Sequence, residues 1–115
     1  MANTFKQISK AGVTSSDVIY TVAGSTTTVV LGLIIGNTQS SAITVTLTIS
    51  TDTSNRSGAN NEDNQPVELL TATSIPANSS LELLAGNKIV LETTDVINLT
   101  AAAAADISIS VMEIT

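Results

Sequence analysis

The sequence predicts an all-β fold, a single-domain antiparallel β-sandwich of about eight strands. Over residues 42–50, Ile, Val and Leu alternate with Thr and Ser, which is the period of a strand with one buried and one solvated face. The same alternation returns over residues 107–111. Short apolar segments also recur at intervals of about ten residues, separated by Gly, Asn, Pro and Ser turns. This spacing is compatible with a jelly roll or an immunoglobulin-like Greek key and does not choose between them.

The first segment, residues 1–12, is predicted to be an N-terminal arm or edge strand, followed by a β-sandwich domain over residues 13–115. It holds Lys6 and Lys10 and no acid, so it carries +2, whereas the rest of the chain carries −8 of the net charge of −6. The lysines are either solvated groups of an edge strand or groups that dock the arm on a neighbouring acidic subunit. The candidate partner contacts are therefore Phe5, Lys6, Ile8 and Lys10.

Three strands are predicted before the long loop, at residues 17–22, 26–37 and 42–50. The second is apolar on both sides, which predicts a central strand covered on both faces. Gly32 and Gly36 in this strand indicate a bulge or a close backbone approach. A buried helix is the alternative there, but Thr, Val, Ile and Gly are poor helix formers. The second and third strands are expected to pair as an antiparallel hairpin.

Residues 51–65 form the longest predicted loop, because they lack apolar periodicity and are rich in the turn residues Asn, Asp, Ser and Gly. Asp52, Glu62 and Asp63 offer the oxygen ligands that Ca²⁺ prefers. Their spacing matches no calcium-loop motif, so a solvated loop is the favoured interpretation and no metal site is predicted.

The second half of the chain is predicted to form five further strands, at residues 67–75, 81–84, 88–92, 96–100 and 106–114. Pro66 and Pro76 bracket the first of them, as suits strand ends. Residues 101–105 are five alanines. One helical turn is marginal on its own, so we expect a small-residue loop or a strand end there.

The titratable residues predict a protein that is not an enzyme. The chain has no His and no Cys, which removes the commonest general base and the thiolate ligands of metals. Glu68 and Glu82 are predicted to face solvent, and Asp17, Asp95 and Asp106 to shape turns just before strands. No glycine-rich phosphate loop is present. We therefore predict no catalytic residues and no cofactor.

Composition also limits the partners. The net charge of −6 opposes binding to phosphate backbones, so no nucleic-acid partner is expected. Phe5 and Tyr20 are the only aromatic residues, too few for stacking on bases or sugar rings. The longest apolar stretch, residues 29–36, is too short to span a bilayer, and the first residues lack an apolar signal core. We expect a protein that matures in the cytoplasm of the cell that makes it and that has no membrane partner.

Several segments resemble small virion structural proteins of tailed bacteriophages. In the first half these are Ile8-Ser9-Lys10-Ala11-Gly12-Val13-Thr14, residues 18–22 and residues 26–37; in the second half they are residues 75–81, Gly86-Asn87-Lys88-Ile89-Val90-Leu91-Glu92, residues 95–97 and residues 110–114. The resemblance covers most of the chain and runs through turn and strand patterns, and the loop at 51–65 adds nothing to it. The family is similar to β-sandwich proteins that decorate capsids or build tail and baseplate parts, which implies no cofactor.

The resemblance implies a structural protein of the virion, and we expect a capsid decoration (cement) protein on the outer shell. Its partners would be the major capsid protein or other virion structural proteins, and the chain is expected to form a homo-oligomer. Apolar strand faces, and addition of residues 1–12 to a neighbouring sheet, are the expected contact modes. The alternatives are a tail, baseplate or fibre component, and a receptor- or glycan-binding module that uses the loop at residues 55–64.

Overall fold

The computed structural model describes residues 2–51, 66–84 and 86–115, and within them the secondary structure is entirely β. The seven strands are β1 (Asn3–Thr21), β2 (Thr27–Asn37), β3 (Ile43–Ser50), β4 (Pro66–Ile75), β5 (Ser80–Glu82), β6 (Ile89–Leu91) and β7 (Val96–Ile114). Every pairing between them is antiparallel. The predicted all-β antiparallel fold is therefore confirmed, and β2 is a strand and not a helix.

The long strand β7 organises the fold. One of its edges pairs with β1 along nearly its whole length. The other edge pairs with β2 along the C-terminal half of β7 and with β3 along the N-terminal half. The C-terminal half of β7 thus belongs to a sheet with β2, β5, β6 and the first half of β1, here called sheet I. The N-terminal half belongs to a sheet with the second half of β1, β3 and β4, here called sheet II.

The two sheets face each other because β1 and β7 are bent. Tyr20 pairs with Ile97 in sheet II, yet its hydroxyl reaches the carboxylate of Glu113 in sheet I. In a straight strand, Ile97 and Glu113 would be about 50 Å apart. The bend of β1 contains Gly12 and Ser15, which have φ values of 67° and 57°. Two sheets that share bent strands in this order have the connectivity of a jelly roll, one of the two topologies left open by the sequence.

The core lies between the inner faces of the two sheets. Sheet I contributes Leu33 and Ile35, and sheet II contributes Leu47 and Leu99, all of them fully buried. Along β3 every second residue is buried, as the alternation over residues 42–50 predicts. Removing a side chain of this size from water stabilises the fold by roughly 1.5–3 kcal/mol.

The prediction of separate strands at residues 96–100 and 106–114 is wrong, because β7 runs without interruption through the five alanines. Ala101 and Ala105 are buried where the strand passes from one sheet to the other. Ala101 pairs with Ser15 and Ala105 with Val13 of β1, so pairing holds both ends of the alanine run, which a sequence pattern cannot reveal. The described residues form seven strands and not about eight, because the strands predicted at 96–100 and 106–114 are the single strand β7.

The first strand is also longer than the predicted one. Residues 3–12 and the predicted strand at 17–22 lie together in β1, and within the described part of the chain β1 pairs with β7 alone. Asp17 and Asp106 consequently lie inside strands and not before them, so their predicted positions are wrong. Asp95 does precede β7, and its carboxylate accepts a hydrogen bond of 2.9 Å from the backbone N–H of Glu92.

Candidate assembly interface

The four predicted partner contacts all lie in the part of β1 that belongs to sheet I, but they divide between its two faces. Cross-strand neighbours point to the same face of a sheet. Lys6, Ile8 and Lys10 lie opposite the buried residues Val111, Ile109 and Ile107, so all three point to the inner side. Phe5 lies opposite Met112 and points outward, with 71 % of its surface exposed.

Both lysines of the arm form ion pairs within the chain. Lys6 Nζ lies 2.9 Å from Glu113 Oε1, and Lys10 Nζ lies 2.7 Å from Asp17 Oδ2 across the bend of β1. Charged residues that point inward on an edge strand hinder pairing with the edge of another sheet. The positive charges of the arm are thus compensated inside the protein, next to an edge that they help to protect.

Glu113 is the centre of a polar network that joins the two sheets. The Tyr20 hydroxyl donates to its carboxylate and lies 2.8 Å from the hydroxyl of the fully buried Thr28, which must then be the donor to Tyr20. Hydrogen bonds from Lys6 and Tyr20 lower the pKa of Glu113. Burial, followed by the hydrogen bond to Glu113, raises the pKa of Tyr20 to about 12. Sequence reasoning missed Glu113, because no local pattern distinguishes it from a solvated glutamate.

The outer face of sheet I carries a row of apolar side chains across β1, β7, β2 and β6. Phe5 is opposite Met112, Met112 is opposite Val29, and Val29 is opposite Val90. These four residues are called the apolar row. Its two ends are strongly exposed, Phe5 at 71 % and Val90 at 59 %. Contiguous exposed apolar surface of this kind is typical of sites that bind other proteins.

A hollow of about 480 Å³ lies on the same outer face. Its lining includes Gln7 and Ser9 of β1, Ser108 of β7, and Ile34 and Gly36 of β2. Ile34 is 45 % exposed there, so the prediction that β2 is covered on both faces is wrong. On this face the neighbours of Ile34 are Ser108 and Glu82 across the sheet and two glycines along β2, and these side chains leave it partly uncovered.

The two glycines of β2 behave differently from each other. Gly32 lies at a register shift between β2 and β7, which confirms the predicted bulge. A side-chain carbon at Gly36 would meet only the backbone oxygen of Asp106, at an ordinary contact distance of 3.9 Å. The close backbone approach predicted for Gly36 is therefore not present.

The outer face of sheet II is polar. Thr44, Thr46 and Thr48 of β3 point outward along it, as the alternation predicts. Ser16 donates a hydrogen bond of 2.9 Å to Asn98, and Thr46 accepts one of 3.0 Å from the backbone of β4. An exposed valine, Val18, stands among these polar side chains. The outer face of sheet II therefore presents hydrogen-bonding groups to water, whereas the outer face of sheet I presents apolar side chains.

Neither a metal centre nor a membrane helix is found in the described ranges. No three Asp, Glu, His or Cys side chains gather there into a group that could hold a metal ion. No helix long and apolar enough to cross a membrane occurs in them either. Glu68 and Glu82 are exposed, as predicted. The candidate calcium ligands Asp52, Glu62 and Asp63 and the loop at residues 55–64 lie outside the described residues.

Comparisons with known proteins give a likeness of fold. No protein-family model and no curated protein matches the chain. The VP2 subviral particle of infectious bursal disease virus matches at a TM-score of 0.51 and 10% identity, over 96% of this chain and 32% of that chain. The Gx strain of the same virus matches at 0.48 and 10%, over 96% and 36%. This chain thus spans about a third of each viral chain. The Bacillus endospore appendages, described as disulfide-linked pili, match at 0.48 and 14%, over 99% and 87%.

Proposed function

We propose that this chain is a non-enzymatic structural subunit of a bacteriophage virion and that it decorates the outer surface of the capsid as a cement protein. The outer face of sheet I carries the proposal, because its apolar row and its hollow are displayed on paired strands and are ready to contact protein. A neighbouring protein subunit, of the capsid or of the decorating layer itself, would cover this apolar surface, and many copies would add their modest contacts to a large total.

The state of the titratable groups supports a structural role. Tyr20 and Glu113, whose pKa values depart from their ordinary ranges, are bonded to each other inside the network that joins the sheets. A general acid or base needs a pKa near the working pH, and these shifts move both groups further from neutrality. The network therefore suits the fastening of two sheets and does not suit proton transfer.

Fold and charge support a place on the outside of a virus particle. The viral VP2 chain, whose name describes it as forming a subviral particle, shares this fold. The net charge of −6 favours the outer surface of a shell, since the inner surface faces the phosphates of the genome. The resemblance to virion proteins of tailed bacteriophages supports the same assignment.

Quantitative mass spectrometry of purified virions of the virus that encodes the chain tests the proposal. We expect a copy number comparable to that of the major capsid protein, and antibody label spread over the whole shell in electron micrographs. A few copies, with label at one vertex, would replace capsid decoration by a tail, baseplate or fibre role. Absence from the virion would overturn the structural assignment altogether.

A further inference from the structure

We infer that the outer face of sheet I binds a second copy of this chain, with Phe5 of each copy seated in the hollow of the other. The inference deepens the proposed function and rests on it, because it supplies the contact between copies that a many-copy structural protein needs. It specifies the occupant of the apolar face as a second molecule of the same sequence.

Phe5 has the properties of an inserted side chain. It is the single phenylalanine of the chain and is 71 % exposed. The backbone around it is fixed, because its strand is paired with β7 and the strand end is closed by hydrogen bonds between Ala2 and Thr115 of 3.2 and 2.9 Å. Because the backbone that carries the ring is already ordered, binding has to fix only the side-chain torsions of Phe5.

The hollow has the properties of a receiving site. Glycine inside a strand is destabilising, so it is expected only where the backbone has a positive φ or where a neighbour leaves no room for a side chain. Gly36 has no positive φ, and a side-chain carbon there would lie 3.9 Å from its nearest neighbour, so neither condition applies. What its missing side chain does provide is open space beside Ile34. The hollow of about 480 Å³ is ample, since a cavity of about 150 Å³ already accepts benzene.

The register makes this face complementary to itself. Consider a two-fold axis that lies between two facing copies, perpendicular to the strands, and crosses β1 at Gln7. It places Phe5 of each copy over Ser9 of the other, and Ser9 lines the hollow. Gln7 pairs with Ser110, so the same axis places Met112 over Ser108, which also lines the hollow. One symmetry operation therefore places Phe5 and Met112 of each copy over residues that line the hollow of the other copy, as a two-fold contact requires.

Area and charge are compatible with this contact. Three strands about nine residues long, and the three-residue strands β5 and β6 beside β2, are spaced about 4.8 Å apart and present roughly 520 Å² per copy, or about 1,000 Å² in total. A specific interface needs about 1,000 Å². The acidic residues that the register places on this face include Asp106 and Glu82. The axis places Asp106 of one copy opposite Ile114 of the other, and Glu82 near Val90. Neither carboxylate therefore faces the same carboxylate of the other copy.

Sedimentation velocity of the purified chain over a range of concentrations tests the inference. We expect a dimer, and we expect Phe5→Ser and Gly36→Val each to weaken it by at least ~10-fold. Gly36→Val fills the hollow with a side chain that the strand accommodates, so the variant should remain folded, which circular dichroism and thermal melting will check. Val18→Ser is the matched control, because it removes an exposed apolar side chain of β1 from the outer face of sheet II.

Mixing the two variants provides a second test. The Phe5→Ser chain keeps the hollow and the Gly36→Val chain keeps the phenyl ring, so one insertion remains possible in a mixed dimer. We expect the mixture, with one chain fluorescently labelled, to associate more strongly than either variant alone. A monomeric wild type, a Val18→Ser loss equal to that of Phe5→Ser, or a mixture no better than its components would overturn the inference.

These measurements separate the inference from the proposed function. A chain that is monomeric in solution but abundant on the capsid would sink the self-association and leave the decoration role standing. A chain that dimerises through Phe5 but is absent from the virion would support the self-association and overturn the decoration role.

Discussion

Sheets I and II share the same two bent strands and both contribute buried Leu, Ile and Val to one core, yet their outer faces differ. The outer face of sheet II carries threonine, serine and asparagine bonded to one another and to the backbone. The outer face of sheet I carries the apolar row and the hollow around Ile34. Threonine would have served both faces equally well as a strand former. The difference shows that the inner faces suffice to build the fold, and it is the observation on which the proposed contact surface rests.

The largest expected effect concerns the inner faces, where the two sheets should behave alike. Leu33 of sheet I and Leu47 of sheet II are both fully buried. Replacing either by alanine removes buried methyl groups and leaves a cavity, so we expect each to lower the free energy of unfolding by about 2–5 kcal/mol. Urea denaturation measures this, with the exposed Thr44→Ala as control. A loss confined to one sheet would show that the two layers do not share one core.

The next effect concerns the network that fastens sheet I to sheet II. Tyr20→Phe leaves Glu113 and Thr28 without the hydroxyl that bridges them, so we expect a loss of about 1–3 kcal/mol in unfolding free energy. Lys10→Gln, which breaks an exposed ion pair, should lose less than about 1 kcal/mol. Equal losses for the two variants would argue against a special role of the network.

The same network predicts how stability depends on pH. The pKa of Glu113 is lowered in the folded state, so its contribution is present above the ordinary value near 4.5 and is lost as pH falls through the folded pKa. The pKa of Tyr20 is raised, so its contribution is present below the ordinary value of 10.0 and is lost as pH rises towards about 12. Unfolding free energies measured across pH should show both losses. In Tyr20→Phe the alkaline loss should disappear, and its persistence would assign that loss to another group.

A smaller effect distinguishes a glycine that the fold needs from one that the outer face uses. Gly12 has a φ of 67° in the bend of β1, where alanine is strained, so Gly12→Ala should lower stability by about 1 kcal/mol. Gly36 has no such constraint, and Gly36→Ala should raise stability by roughly 0.5–1 kcal/mol. Thermal melting of the two variants provides the comparison. Changes of the same sign would contradict the interpretation of Gly36 as a residue that keeps the hollow open.

The smallest expected effect on stability accompanies a change of the outer face itself. Val29→Thr with Val90→Thr makes the apolar row of sheet I resemble sheet II while keeping β-branched side chains. We expect the unfolding free energy to change by less than about 0.5 kcal/mol, whereas the amount of protein bound to virions falls. Thr44→Val, the opposite change on sheet II, should leave virion binding unaltered. Unchanged binding of the double variant would remove the apolar row from the contacts that hold the protein on the virion.

Part of the fold could be read from the sequence because its signals are local. The alternation over residues 42–50 and the turns at residues 76–79 and 93–95 depend on neighbouring residues only. The continuous course of β1 and β7 could not be predicted in this way. Gly12 and the five alanines look like interruptions in the sequence, whereas in the structure the β1–β7 pairing resumes on both sides of an irregular stretch at these residues.

The candidate interface was predicted in part. Phe5 was among the expected contacts and is exposed, whereas Lys6 and Lys10 form ion pairs inside the chain. The rest of the apolar row was not predicted, because Phe5, Val29, Val90 and Met112 are distant in sequence. The four lie side by side only once the register of four strands is known.

The sequence by itself determined that this protein is made of antiparallel strands, since a period of two is a property of each segment alone. Which face of each sheet would remain exposed was decided only by the tertiary structure. Two bent strands bring the inner faces together and seal them with Leu, Ile and Val. The same bending leaves outside whatever the alternate positions carry, and in sheet I those positions carry Phe5, Ile34 and Val90.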